Sequence, residues 1–341
     1  MTQVVRSRHR QQGAALLLAM LTVALVATLS AAALWQQWRA MAVESAERQR
    51  VQASWILGGA LDWARLILRE DGLNNNRRPV DHLDEPWALP LAEARLSSFL
   101  AADREQSADS TLEAFLSGEI ADMQGRLNLN NLVKVADGKP VVSEVDGAAF
   151  ARLFQHLGLP EAELARVQQN LLAARAAQGS GAPAPDVPLL PQRWSQVGWL
   201  GLSPRSMLAL APHATWLPQR TPLNLNTASA EALYAALPEA DLALARSLVE
   251  QRKSAHFTSR ENLRQRFPAV SAAVLQSEHF DTQSRFFEVR GRLRLDDTLI
   301  EEVSLIERQP GDSIRIELKP LWRERRAASV PPPTGQPASL Q

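Results

Sequence analysis

The sequence predicts an α+β chain: one long N-terminal helix packed on an antiparallel sheet, with a large, mostly α-helical domain inserted between them. Three observations predict it. A 21-residue uncharged apolar run, Ala14 to Leu34, opens a stretch that contains no proline before Pro79. Three segments near the C-terminus alternate apolar and charged residues with the period of a strand. Between the two lies a segment with helical patterning and an internal echo.

The first element is the apolar run. At about 1.5 Å per residue it spans about 30 Å, the thickness of a bilayer core. Arg6, Arg8 and Arg10 precede it, and no acidic residue occurs before Glu44, so the basic end is expected to stay in the cytoplasm with the rest exported. Trp35 and Trp38 follow where an aromatic belt meets the outer headgroups. Three readings of this end compete. A cleaved secretory signal needs a shorter apolar core, although Ala31, Ala32 and Ala33 supply small residues. A plain signal anchor needs only the span. In the third, Gly13-Ala14-Ala15-Leu16-Leu17-Leu18 resembles a prepilin leader site, where cleavage after Gly13 precedes the apolar run. That resemblance implies a prepilin peptidase as partner and an N-methylated Ala14. Pilins carry glutamate at the fifth mature position, whereas Leu18 stands there in this chain. A carboxylate inside a bilayer is costly without a partner. A subunit with no earlier neighbour can dispense with it.

The helix is expected to continue to Glu70, on the order of 85 Å in all. Ile56, Ala60, Trp63 and Ile67 mark its apolar face, Gly58-Gly59 offers a kink, and Asp71-Gly72 with Asn74-Asn75-Asn76 stops it. The domains read as follows: residues 1–13 leader, 14–34 transmembrane, 35–72 periplasmic helix, 73–129 first part of the head. Residues 130–276 form the inserted helical domain, 277–324 the closing strands, and 325–341 a disordered tail.

The closing strands are Phe287 to Leu295, Thr298 to Glu307 and Ile314 to Leu318, turned at Asp296-Asp297 and Pro310-Gly311-Asp312, a meander with one wet face. In the insertion, Leu127-Asn128-Leu129-Asn130 recurs as Leu223-Asn224-Leu225-Asn226, and Leu159-Pro160-Glu161-Ala162 as Leu237-Pro238-Glu239-Ala240. Gln178 to Pro191, rich in Pro, Gly and Ala, separates the two halves as an exposed linker. The asparagines are expected to tie loop backbone, with Ser229 and Glu231 at a helix N-terminus.

Composition narrows the function classes. The 341 residues are 45% hydrophobic and 22% charged with zero formal net charge, so no overall field recruits nucleic acid. With no cysteine, disulfides and thiolate metal sites are excluded. No Ser elbow, phosphate-binding glycine loop or His-Glu-x-x-His appears, which argues against an enzyme.

His82-Leu83-Asp84-Glu85-Pro86-Trp87-Ala88, the block Gly118 to Leu132, and Thr221 to Ala228 resemble, in this order, the K subunits of type II secretion systems. The resemblance covers Gln11 to Trp322. It implies a pilin-like head with an inserted domain, a role as minor pseudopilin at the tip of a periplasmic pseudopilus, and partners among the I, J and H minor pseudopilins and the inner-membrane assembly platform. It also implies calcium, for which the sequence offers Asp137, Glu144 and Asp146 in one loop and Asp81, Asp84 and Glu85 in another. A rival reading is a membrane-anchored DNA-binding protein of a competence-type system, because Asn224 to Leu233 and the helix after it resemble a helix-hairpin-helix. That hairpin binds phosphate through glycine amides, and here Leu237-Pro238-Glu239-Ala240-Asp241 puts two carboxylates in their place.

Overall fold

No proline interrupts the first described element: α1 is one continuous helix from Gln11 to Asn74, with no break in its assignment at Gly58-Gly59. The computed structural model describes residues 11–74, 80–96, 114–180, 187–271, 274–275, 278–295, 298–310 and 316–328. The chain forms two compact units, residues 1–58 and 59–341.

In the first unit the apolar run is uncovered. Leu16, Leu17, Leu21 and Leu25 are all exposed, and the helix is long and apolar enough to cross a membrane. An exposed apolar surface of this extent requires lipid or other chains around it.

The second unit begins with the end of α1. Leu61, Ala64 and Leu68 are buried there with Trp87, Phe287, Val289, Ile306 and Leu318. The expected face was set one residue too early. Ile67 is only half-buried beside this core, and Trp63 is exposed. The helix is apolar around more than half its circumference, so periodicity alone left its phase open. Asp71-Gly72 does not stop the helix either. Asp71 pairs with Arg308, and Gly72 faces the Ile316 side chain, where a Cβ would collide.

The sheet has five antiparallel strands: β1 (Leu91–Arg95), β2 (Ala114–Asp122), then, after the insertion, β9 (Phe286–Leu295), β10 (Thr298–Pro310) and β11 (Ile316–Ala328), hydrogen-bonded in that order. Strand β2 pairs with β9, Ile120 opposite Val289, so residues 123–285 leave and re-enter between two neighbouring strands. The insertion therefore hangs from the middle of the sheet.

Two expectations are corrected here. Strand β11 continues past Leu318 to Ala328, taking residues 325–328 out of the expected tail; 329–341 lie outside the described residues, as do Asp296-Asp297 and Gly311-Asp312. Pro320 is tolerated because β11 is an edge strand and the register slips by one residue between Leu305 and Ile306. The wet face is not simply wet. Glu301 is buried there between Arg292 (2.9 Å) and Arg326 (2.5 Å), and Leu305 and Phe286 pack on Met123 and Leu217 of the insertion; on the opposite face, that of Ile306, Glu302 is buried between Arg323 (2.5 Å) and Arg325 (2.6 Å).

The insertion is built twice on one plan. In the first copy, β3 (Leu127–Asn128) pairs in parallel with β6 (Ala214–Thr215). A hairpin of β4 (Val133–Ala136) and β5 (Lys139–Val142) follows, then α2 (Glu144–Leu157) and α3 (Glu161–Ser180). A short helix α4 (Pro204–Leu210) closes it. In the second, β7 (Leu223–Asn224) pairs in parallel with β8 (Phe280–Asp281), then α5 (Ala230–Ala236), α6 (Leu242–Ser254) and α7 (Arg260–Arg266). Helices α2 and α5 pack on each other, and one core takes in both copies, from Leu129 and Phe150 to Leu248 and Phe257. Helix α3 absorbs Gln178 to Ser180 of the expected linker, of which residues 181–186 lie outside the described ones.

Candidate functional site

The asparagine blocks explain why the two copies look alike. Asn128 Oδ1 accepts from Asn130 N (3.1 Å), and Asn224 Oδ1 accepts from Asn226 N (2.9 Å), the same Asx turn in each. The second asparagine of each block then ties a distant loop: Asn130 Nδ2 donates to Leu217 O (2.8 Å), Asn226 Nδ2 to Phe257 O (2.9 Å). Asn131 clamps Thr221 through both its amide oxygen and nitrogen. All of them are buried, and all their described bonds go to the chain itself.

Where the insertion meets the sheet, a polar junction forms. Asp122, at the end of β2, accepts from Gln124 N (2.7 Å), Ser284 Oγ (2.6 Å), Thr227 Oγ1 (2.5 Å) and Asn224 Nδ2 (3.0 Å). Burial pushes its pKa up against those bonds. Asp81 accepts twice from Arg308 Nη2 (2.5 and 2.6 Å) and from Ser284 N (2.7 Å). Burial, opposed by the Arg308 charge, raises it to about 6. The other Arg308 nitrogen reaches Asp71 at 2.8 Å, and its guanidinium lies over the Phe287 ring. Beside them Glu85 accepts from Trp87 Nε1 (2.7 Å) and His82 N (2.9 Å), and burial raises it to about 7. His82 stacks on His256 of the insertion at 3.9 Å.

Glycine is required at one point here. A Cβ on Gly125 would sit 2.8 Å from Thr227 Oγ1 and 3.0 Å from its carbonyl oxygen. Gly125→Ala is expected to cost about 1–3 kcal/mol of head stability, read by denaturant unfolding. Wild-type stability in that variant would mean the two segments are not held so closely.

Glu85 sets a pH expectation. Its folded pKa lies above the ordinary value of 4.5, so its burial penalty is absent below that value and grows as pH rises through about 7. Glu85→Gln mimics the protonated form. Its melting temperature should gain on wild type between pH 5 and pH 8, and a constant difference over that interval would contradict this.

Of the expected calcium ligands, the structure brings Asp81 and Glu85 together with Asp71, their oxygens within 4.8 Å of one another. Asp84 is exposed instead. Arg308 already supplies the positive charge to Asp71 and Asp81, and Glu85 is held by Trp87 and His82, so this donor set does not fit a resident calcium. Val135 to Gly147 is not a single loop. Asp137 (φ 50°) and Gly138 (φ 73°) form the tight turn between β4 and β5. Glu144 starts α2, exposed, while Asp146 is buried with Ser143 (2.6 Å) and Arg220 (2.9 Å). Burial acts to raise the Asp146 pKa, but the bonds from His279 and Ser143 and the Arg220 charge hold it below the ordinary value.

Among the described residues, the Ser–His contact with a carboxylate nearby does not assemble into a catalytic relay. His213 uses a single nitrogen toward both Ser229 Oγ (2.9 Å) and Glu231 (3.8 Å), and Ser229 caps α5. Nor is a phosphate site present at the start of α6. Asp241 Oδ1 caps it through Leu244 N (2.7 Å), and Glu239 accepts from Ser271 N (2.7 Å). Gly13, Ala14 and Leu18 lie in the first turns of α1, with Ala14 and Leu18 exposed.

Asp71, Asp122, Ser284 and Arg308 were missed by sequence reasoning. They come from four separate segments, and no spacing links them. The one available signal was Asp122 within the Gly118 to Leu132 block.

Two sequence profiles described as type II secretion system (T2SS), protein K, match residues 125–219 and 223–283. The chain is 29% identical over 336 residues to type II secretion system protein K of Pseudomonas aeruginosa, covering 91% of this chain and 92% of that one. It is 28% identical over 150 residues to the protein of that name from Klebsiella pneumoniae, covering 44% and 41%. Its fold is similar to a chain in the crystal structure of the GspK-GspI-GspJ complex from the enterotoxigenic Escherichia coli type 2 secretion system. The TM-score is 0.61 at 18% identity, over 83% of this chain and 99% of that one.

Proposed function

Since the chain belongs to the protein K family of type II secretion minor pseudopilins, we propose that it sits at the tip of the pseudopilus, where it initiates assembly and caps the fibre. The observation that carries this reading is the placement of the insertion. Residues 123–285 emerge between two central neighbours of the sheet, so a body of some 160 residues stands on a head that, in a stackable subunit, stays slim. Such a body obstructs the stacking of a further subunit on the head. Leu18 agrees with a first subunit, which has no earlier neighbour whose amine a fifth-position glutamate would meet.

In this reading the prepilin peptidase cleaves between Gly13 and Ala14, Ala14 is methylated, and residues 14–34 hold the chain in the inner membrane with the head in the periplasm. The I- and J-type minor pseudopilins pack against the helix, the H-type subunit follows, and the assembly platform drives growth beneath. The related Escherichia coli chain was solved in a GspK-GspI-GspJ complex, which supports the first two partners. The chain acts by shape and assembly rather than by catalysis, and nucleic acid is not among its ligands.

Full-length protein extracted in mild detergent should co-purify with I- and J-type subunits in equal amounts, together and not singly. Recovery of the chain alone, from cells producing all three, would overturn the assembly role.

A further inference from the structure

A cleft of about 170 Å³ opens between the outer face of the sheet and the insertion. Three indoles line it: Trp194, Trp216 and, from strand β11, Trp322. The charges around it are spent on one another. Arg193 pairs with Glu324 at 2.6 Å, Arg290 with Glu288 at 2.8 Å, and Arg326 with Glu301 at 2.5 Å. A charged ligand would have to break one of these pairs, so the cleft favours a neutral one. Trp322 Nε1 is buried with no acceptor among the described residues, an arrangement that costs free energy unless something accepts from it. The complementary ligand is therefore neutral and flat-faced, and brings an acceptor.

Prolyl peptide fits that description. Its tertiary amide presents a carbonyl without an N–H, its ring packs on indole, and its restricted backbone loses little entropy on binding. This chain carries such a segment, Pro331-Pro332-Pro333, shortly after β11. Trp322, Glu324 and Arg326 alternate on one face of that strand and all line the cleft. From Ala328, four residues reach about 13 Å, the same span that leads back along the strand to Glu324. A segment tethered this close is present at an effective concentration of the order of millimolar, above that of most free competitors.

We propose that this tryptophan cleft is a binding site for the prolyl segment of the same chain, residues 330–333, which lie outside the described residues. Docking there would tie the edge strand to the insertion. The proposal does not depend on the role at the tip.

The test uses full-length protein in detergent micelles with nitrogen-15 in the indoles, the Trp322 resonance being assigned by its loss in Trp322→Phe. Truncation after Ala328 should shift that resonance, and so should the triple variant Pro331→Ser, Pro332→Ser, Pro333→Ser, which keeps the chain length. A synthetic peptide of residues 329–341 should restore the original position in the truncated protein, and the serine-substituted peptide should not. A Trp322 resonance unmoved by truncation overturns the proposal. So does a truncated protein that responds to an unrelated proline-rich peptide but not to its own, which would give the cleft to another polypeptide.

Discussion

Gly13→Val should leave the leader uncleaved, and secretion through the system should fall to background. The reason is steric and positional. A peptidase working at the inner face of the bilayer must fit the residue before the scissile bond, and glycine presents no side chain there. Intact-mass measurement reads the result directly. The wild-type chain should begin at a methylated Ala14, whereas the variant should retain residues 1–13 without methylation. Unprocessed chain still carries Arg6, Arg8 and Arg10, whose transfer into the bilayer is costly, so it cannot leave the membrane to join a fibre. Normal secretion by a variant that keeps its leader would break the link between processing and assembly.

Arg308→Met should cost the head about 3–5 kcal/mol, the largest effect of any single change inside the fold. Arg308 is buried, it is the only cation in ion-pair contact with Asp71 or Asp81 among the described residues, and it also donates to Ser284 O at 2.8 Å. Removing it leaves two carboxylates facing each other without compensation, and one of them is already raised toward neutrality by burial. Lysine would not rescue fully, since a single ammonium cannot present the fork that reaches both carboxylates and the carbonyl. Adding Asp81→Leu to Arg308→Met should recover part of the loss, as the junction then holds one unpaired charge fewer. Thermal unfolding of the full chain in detergent measures all three variants. A loss below about 1 kcal/mol for Arg308→Met would mean the junction is solvated and does not hold the insertion to the sheet.

What the sequence made legible was whatever is local. The apolar run, the absence of proline, the period-two segments and the repeated asparagine blocks each depend on neighbours in the chain. Helix α1, strands β9 and β10 and the two Asx turns appear where those signals placed them. Non-local features were not legible. Strand β2 contains Gly118 opposite Gly291 and no clean alternation, so it declares itself only by pairing with β9. Strand β11 read as ending at Leu318 because Lys319-Pro320 breaks the pattern, and only the register slip against β10 shows how the strand absorbs the proline. The polar junction was hidden for the same reason. Asp81 and Glu85 were visible as an acidic pair, but the arginine that answers Asp81 lies more than 200 residues away. Without it, carboxylates alone call for a cation.

The claim on which the rest depends is that this head ends the fibre. The chain contains no cysteine, so one introduced at the exposed Lys139 gives a unique label site. Pseudopili assembled with Lys139→Cys and marked with maleimide gold should carry one particle at a single end of each fibre. Gold spaced along the fibre shaft would show that the chain stacks like an ordinary subunit, and the tip assignment would fall.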